Sequence, residues 1–197
     1  MTKQIRAYKS FTKEKGIFCI EGSWENDHRD KKSVEKALEF LECIENVKFI
    51  VKQCHNQATL EELTRDSMQS RYSKYSILYL AFHGKPGMIN VGKRSKYVSF
   101  DEVADMIGDK ANGKIIHFGC CSTLKLDGWA IRRFIKKTNA LAVSGYSKDI
   151  DFVRSTAFDI MYFQQCQRAF DIRKVTKQMK KYHSKLGNEL GFVIKHW

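Results

Sequence analysis

Only one proline, Pro86, interrupts the 197 residues, and the 12 glycines form no cluster. A long Pro- or Gly-rich linker is therefore excluded, and with neither an internal repeat nor a low-complexity block the chain reads as one compact domain over 1–197. No stretch approaches ~18 continuous apolar residues, which excludes a hydrophobic membrane-spanning helix. The start, Met1-Thr2-Lys3-Gln4-Ile5-Arg6, does not run into the apolar core of a secretion signal, so the expected location is cytoplasmic. The six cysteines lack the small secreted scaffold that a disulfide framework serves; Cys19, Cys43 and Cys54 fall in expected strands or helices and read as reduced thiols. Cys54-His55 and Cys120-Cys121 lack a four-ligand zinc arrangement. No glycine-rich phosphate loop follows the first strand, so a nucleotide enzyme fits poorly, and no cofactor or metal is expected.

Acidic charge is also short, with 35 Lys and Arg against 22 Asp and Glu and a net charge of +13. Such a balance favours an acidic protein, nucleic acid or an anionic membrane, and by itself selects none of them. The densest block, Arg168, Arg173, Lys174, Lys177, Lys180, Lys181 and Lys185, has three readings: a solvated helix face, a protein-binding surface or a nucleic-acid-binding surface. No helix-turn-helix, zinc-finger or aromatic RNA-binding motif raises the last.

What the chain has is alternation. Strands are expected at 17–20, 47–51, 77–82, 114–119 and 140–144, with a short one at 97–98. Helices are expected at 34–44, 59–68, 100–107, 129–135, 152–163 and 172–182. Ser33 is placed to cap the first helix, and Ser99 with Glu102 three residues on forms a capping box for the third. Lys85-Pro86-Gly87 marks a turn. Strands alternating with helices imply an α/β fold with a largely parallel sheet covered on both faces.

Two of these strands end in chemistry. Ile77-Leu78-Tyr79-Leu80-Ala81-Phe82 runs into His83-Gly84, and Ile115-Ile116-His117-Phe118-Gly119 runs into Cys120-Cys121-Ser122-Thr123. A parallel sheet delivers both ends to its carboxyl edge, where α/β proteins carry their sites. There an imidazole can take a thiol proton and later donate one to a leaving amine. His83 is the candidate base and Cys121 the candidate nucleophile. Cys120 competes, although a continuing strand turns its side chain the other way. Gly84 permits close backbone approach, and the Gly84 and Cys121 N–H groups are candidate oxyanion donors. Each also has a structural reading: His83 as a turn or core polar residue, Cys121 as a buried thiol. His117, within its strand, reads as a packing residue, and Trp24 and Trp129 read as packing or partner-recognition residues.

At these residues the chain resembles the caspase-like superfamily of cysteine peptidases, particularly its CHAT and separatase branches. The CHAT pattern, a hydrophobic strand ending in His-Gly and a later one ending in Ser-Ala-Cys-Glu-Thr, corresponds here to Leu80-Ala81-Phe82-His83-Gly84 and Gly119-Cys120-Cys121-Ser122-Thr123. The likeness extends through Val98-Ser99-Phe100-Asp101-Glu102-Val103 and through Leu141-Ala142-Val143-Ser144-Gly145-Tyr146-Ser147, covering 75–165 most convincingly. The caspase Gln-Ala-Cys signature, the Glu after a CHAT cysteine and the usual Trp where Tyr146 stands are absent.

The resemblance implies a three-layer caspase-like sandwich and peptide-bond hydrolysis through an acyl-enzyme on His83 and Cys121. Asp149-Ile150-Asp151 is similar to the separatase stretch that contributes acidity to the pocket for a basic residue before the cut, with Tyr146 in the same pocket loop. Asp149 and Asp151 read equally as caps of the helix near Phe152, and Lys148 and Arg154 support an acidic preference instead. Related domains are often controlled by flanking domains, which implies a separate regulatory or activating protein and, by association, bacterial defence or signalling. The expectation is thus a thiol protease acting on a protein substrate. The alternatives are an inactive protein-binding scaffold of the same fold and a basic nucleic-acid-binding module.

Overall fold

The computed structural model describes residues 15–25, 27, 29–92 and 96–196; the stretch from Met1 to Arg6 lies outside them. Along the chain, β1 (Ile17–Glu21), α1 (Glu35–Glu45), β2 (Phe49–Gln53) and α2 (Gln57–Ser67) lead through a 3-10 turn at Ser70–Tyr72 into β3 (Ile77–Ala81). Three short strands follow, β4 (His83–Lys85), β5 (Met88–Asn90) and β6 (Tyr97–Ser99), and then α3 (Phe100–Ile107) and β7 (Ile115–Gly119). The chain closes with α4 (Gly128–Thr138), β8 (Ala142–Tyr146), α5 (Phe152–Arg168), α6 (Ile172–Tyr182), α7 (Ser184–Leu190) and β9 (Phe192–His196).

Six strands form the central sheet in the order β2-β1-β3-β7-β8-β9, and β4-β5-β6 make a small separate one. Every neighbouring pair in the large sheet is parallel except β8 with β9. The period of two along each strand sorts side chains into two cores. Phe18, Ile20, Leu78, Leu80, Phe82, Ile116, Phe118 and Cys120 face one way, against Leu60, Phe100, Val103, Ile131 and Phe134 of α2, α3 and α4. Ile17, Cys19, Ile77, Tyr79, Ala81 and Ile115 face the other, against Leu38, Leu41, Phe158, Phe163, Val175 and Leu190 of α1, α5, α6 and α7. The result is a three-layer α/β sandwich. Among the described residues, no helix is long and apolar enough to cross a membrane.

The expected strands form in the expected sequence, with boundaries moved by a residue or two. Three helix starts differ, and α2 begins at Gln57 with Asn56 as its cap. Val34, not Ser33, occupies the cap position of α1, although the Ser33 hydroxyl still accepts the Glu35 N–H at 3.0 Å. Asp127, rather than the Trp129 region, starts α4, its carboxylate accepting the N–H groups of Trp129 and Ala130. The Ser99–Glu102 capping box is present in both directions. The antiparallel edge strand β9, which follows α7 at a left-handed Gly191 (φ 66°), has no counterpart among the expectations. It is a short apolar run without alternation, and nothing local marks it as an edge strand.

Two outcomes follow from these contacts. Ser99→Ala removes the acceptor of the Glu102 N–H and should lower unfolding free energy by about 1 kcal/mol in urea melts. Lys114 is buried, its ammonium donating to the Tyr72 and Tyr75 carbonyls (3.2 and 2.6 Å), and burial lowers its pKa from 10.5 to about 8. Between pH 8 and 10.5 the unfolded chain therefore holds more protons at this site, so the cost of the buried charge is full below 8 and is relieved as pH rises. The stability of the wild type relative to Lys114→Met should improve across that window by up to about 3 kcal/mol, read from urea melts at its two ends.

Candidate active site

The chain leaves β1 for β2 on one side and returns at β3 on the other, so the strand order reverses between β1 and β3. Open α/β sheets bind ligands outside the carboxyl ends of strands at such a reversal. A pocket of about 130 Å³ lies there, lined by Trp24 after β1, Phe82 and His83 after β3, Gly119 and Cys121 at the end of β7, and Phe152 and Asp159 of α5.

The sheet register explains why His83 and Cys121 share it. Ala81 pairs with Gly119 in the parallel β3–β7 ladder, and His83 and Cys121 each lie two residues further on. Parallel pairing therefore sends both strand ends to one place, and His83 at the start of β4 and Cys121 in the turn after β7 both line the pocket. Cys120 is fully buried in the α2/α3/α4 core, its thiol donates to the Leu80 carbonyl at 3.2 Å, and burial pushes its pKa far above the usual thiol value. The half-buried Cys121 contacts only the Ile150 carbonyl oxygen in this way, at 3.7 Å.

The exposed His83 ring is held from one side. Its Nε2 lies 2.5 Å from the Trp24 carbonyl oxygen, and the Trp24 indole packs edge-on against it with centroids 5.5 Å apart. A carbonyl oxygen only accepts, so Nε2 carries a proton, and in the neutral ring the lone pair is on Nδ1. Trp24 is itself wedged against Phe152 at 4.9 Å. Gly84 lies so close to the cysteine loop that an added Cβ would fall 2.4 Å from Thr123 Oγ1 and 2.6 Å from the Cys121 carbonyl oxygen. That loop contains Ser122 in the left-handed region (φ 44°), a conformation costing an L residue about 1–2 kcal/mol. Three bonds to the end of β8 and the residues after it hold it: Ser122 N to the Lys148 carbonyl, Leu124 N to the Tyr146 carbonyl, and Ser122 Oγ to Asp149 Oδ1, each 2.8 Å.

The other expected contacts do not line this pocket. Asp149 is exposed beside an open cleft of about 1200 Å³ that also holds Lys85, Lys125, Lys148 and Lys195. Asp151 caps α5, accepting the Arg154 N–H at 2.9 Å. Tyr146 is fully buried, and its hydroxyl bonds Asp159 and the Ser155 carbonyl, so it presents nothing to a substrate. Lys148 donates to the Asn188 carbonyl and Arg154 pairs with Glu189. Trp129 is 65 % exposed with Arg133 over its ring, so it packs no core.

Beneath the pocket lies a buried polar cluster. His117 bonds Ser144 Oγ and Asp159 Oδ1, both at 2.9 Å, and Tyr79 donates to Asp159 Oδ2 at 2.8 Å. Burial raises the Tyr79 and Tyr146 pKa values well above normal. His117 is thus a core residue. Sequence reasoning missed Asp159, whose one signal was a carboxylate inside the apolar run Phe158 to Phe163, and Glu21, an acid closing an apolar strand. Among the described residues, no group of three or more His, Cys, Asp or Glu is arranged to hold a metal ion.

Residues 14–196 match the model of DUF6642, a family of unknown function. The chain belongs to that family. No curated protein matches it.

Gly84→Ala should force the β4 backbone or the Cys121 loop to shift and cost about 1–3 kcal/mol of stability in urea melts. The same variant should change the alkylation rate of Cys121 while leaving Cys120 unreactive.

Proposed function

We propose that this protein is a caspase-like cysteine endopeptidase using His83 and Cys121. The observation that carries the reading is the β3–β7 register, which brings a half-buried thiol and an imidazole with a free Nδ1 to one pocket at the carboxyl edge. In the proposed reaction the Cys121 thiol proton passes to His83 Nδ1 as sulfur attacks the scissile carbonyl carbon. The Gly84 and Cys121 N–H groups receive the developing oxyanion. His83 then returns the proton to the leaving amine, and water, deprotonated by the same nitrogen, releases the acyl group and restores the thiol.

A preference for Arg or Lys before the cut is part of this reading. It rests on the resemblance, because Glu25 on the pocket lining is paired with Lys32 and Asp159 is already bonded to His117, Tyr79 and Tyr146. Asp149 and Asp151 no longer support it, because they are placed elsewhere.

The test is intact mass spectrometry after exposure to thiol-reactive peptide probes carrying Arg, Lys or Asp at the cleavage position. A basic probe should add one label, lost in Cys121→Ala and slowed about 10²–10⁴-fold in His83→Ala. Absence of selective labelling in folded protein would overturn the peptidase reading in favour of a protein-binding scaffold.

A further inference from the structure

The proton position on His83 depends on one carbonyl, that of Trp24, and Trp24 sits between β1 and α1, where the described residues form no helix or strand. What fixes that loop is a carboxylate the mechanism does not use. Glu21, the last residue of β1, is 1 % exposed, and its two oxygens accept four hydrogen bonds. Oε1 takes the Trp24 Nε1–H at 2.6 Å and the Val34 N–H at 2.7 Å. Oε2 takes the Ser33 hydroxyl at 2.7 Å and the Gln53 side-chain amide at 3.0 Å.

These donors come from both ends of the loop and from β2. Among the described residues, all four of these donors are uncharged. A buried carboxylate is costly unless its lone pairs are filled, which makes this an expensive way to close a loop that an apolar contact could close. What an apolar contact could not do is fix the rotation of the indole. The Glu21–Trp24 bond sets that rotation, the indole packs edge-on against His83, and the carbonyl of the same residue takes the His83 proton.

We propose that Glu21 is a positioning residue for His83, acting through Trp24 to hold the imidazole as the Nε2–H tautomer, with the Nδ1 lone pair left available for proton transfer. The inference rests on the reading of His83 as the base. Its ligand-free signature is separate from peptidase activity: the two ring nitrogens of His83 have different ¹⁵N shifts in each tautomer.

The experiment records ¹⁵N–¹H correlation spectra of the His83 ring, assigned with His83→Gln, in wild type, Trp24→Phe, Glu21→Gln and Glu21→Ala. Iodoacetamide alkylation of Cys121 is followed against pH in the same four proteins. Trp24→Phe keeps an aromatic ring beside His83 and removes the donor to Glu21, so it decides the matter if Glu21→Ala does not fold. The wild type should show Nε2–H. Trp24→Phe and any folded Glu21→Ala should show mixed tautomers and a flattened pH profile, with alkylation slowed about 3- to 10-fold, the factor one hydrogen bond carries. Glu21→Gln, which keeps one oxygen for Trp24 and Val34, should retain the wild-type spectrum. A wild-type ring protonated on Nδ1, or a ring spectrum unchanged in Trp24→Phe, would overturn the inference. If Cys121 proves unselective toward peptide probes while the tautomer still responds to Glu21 and Trp24, the peptidase reading fails and the positioning role stands.

Discussion

The site depends on the in-register parallel pairing of β3 with β7. Because Ala81 lies opposite Gly119, the residues just beyond the two strand ends arrive at one pocket. A slip of one residue would turn Cys121 into the α2/α3/α4 core and present Cys120 in its place. Both faces of the strands are buried, so such a slip would also expose Phe118 and Leu80 to the wrong layer. The hydrophobic cores therefore fix the geometry of the thiol and the imidazole.

Glycine makes the close approach around that pair sterically feasible. An added Cβ at Gly119 would fall 2.5 Å from the Tyr79 ring, and one at Gly84 would strike the cysteine loop. The Tyr79 ring lies beside the glycine and reaches Asp159, which also accepts from Tyr146. Polar atoms under the pocket are thus tied to one another, so the pocket floor is formed by a satisfied cluster that needs no ligand to be stable.

Two segments carry the site beyond the sheet. The loop after β7 is pinned to the exit of β8 through Ser122 and Leu124, and the loop after β1 is pinned by Glu21. Three strand ends, β1, β3 and β7, therefore contribute to one pocket, with α5 as its far wall. Asp149 belongs to the first of these supports, since its carboxylate accepts from Ser122 where the backbone is left-handed.

The sequence by itself determined the order of strands and helices, the burial of both sheet faces, the Ser99 capping box and the candidacy of His83 and Cys121. All of these follow from local periodicity and from residues that punctuate strand ends. Tertiary structure alone decided which strands are neighbours and in what register. It closed the sheet with an antiparallel β9, and it turned Asp149, Asp151 and Tyr146 away from the pocket. It also brought Trp24 and Asp159 to the pocket and bonded Glu21 to the Trp24 indole. The separation is physical: propensity and parity act within a few residues, whereas the bond from Trp24 to His83 spans 59 residues and that from His117 to Asp159 spans 42. Contacts at that range exist only after the sheet has chosen its order, and nothing in the residues near either end specifies them.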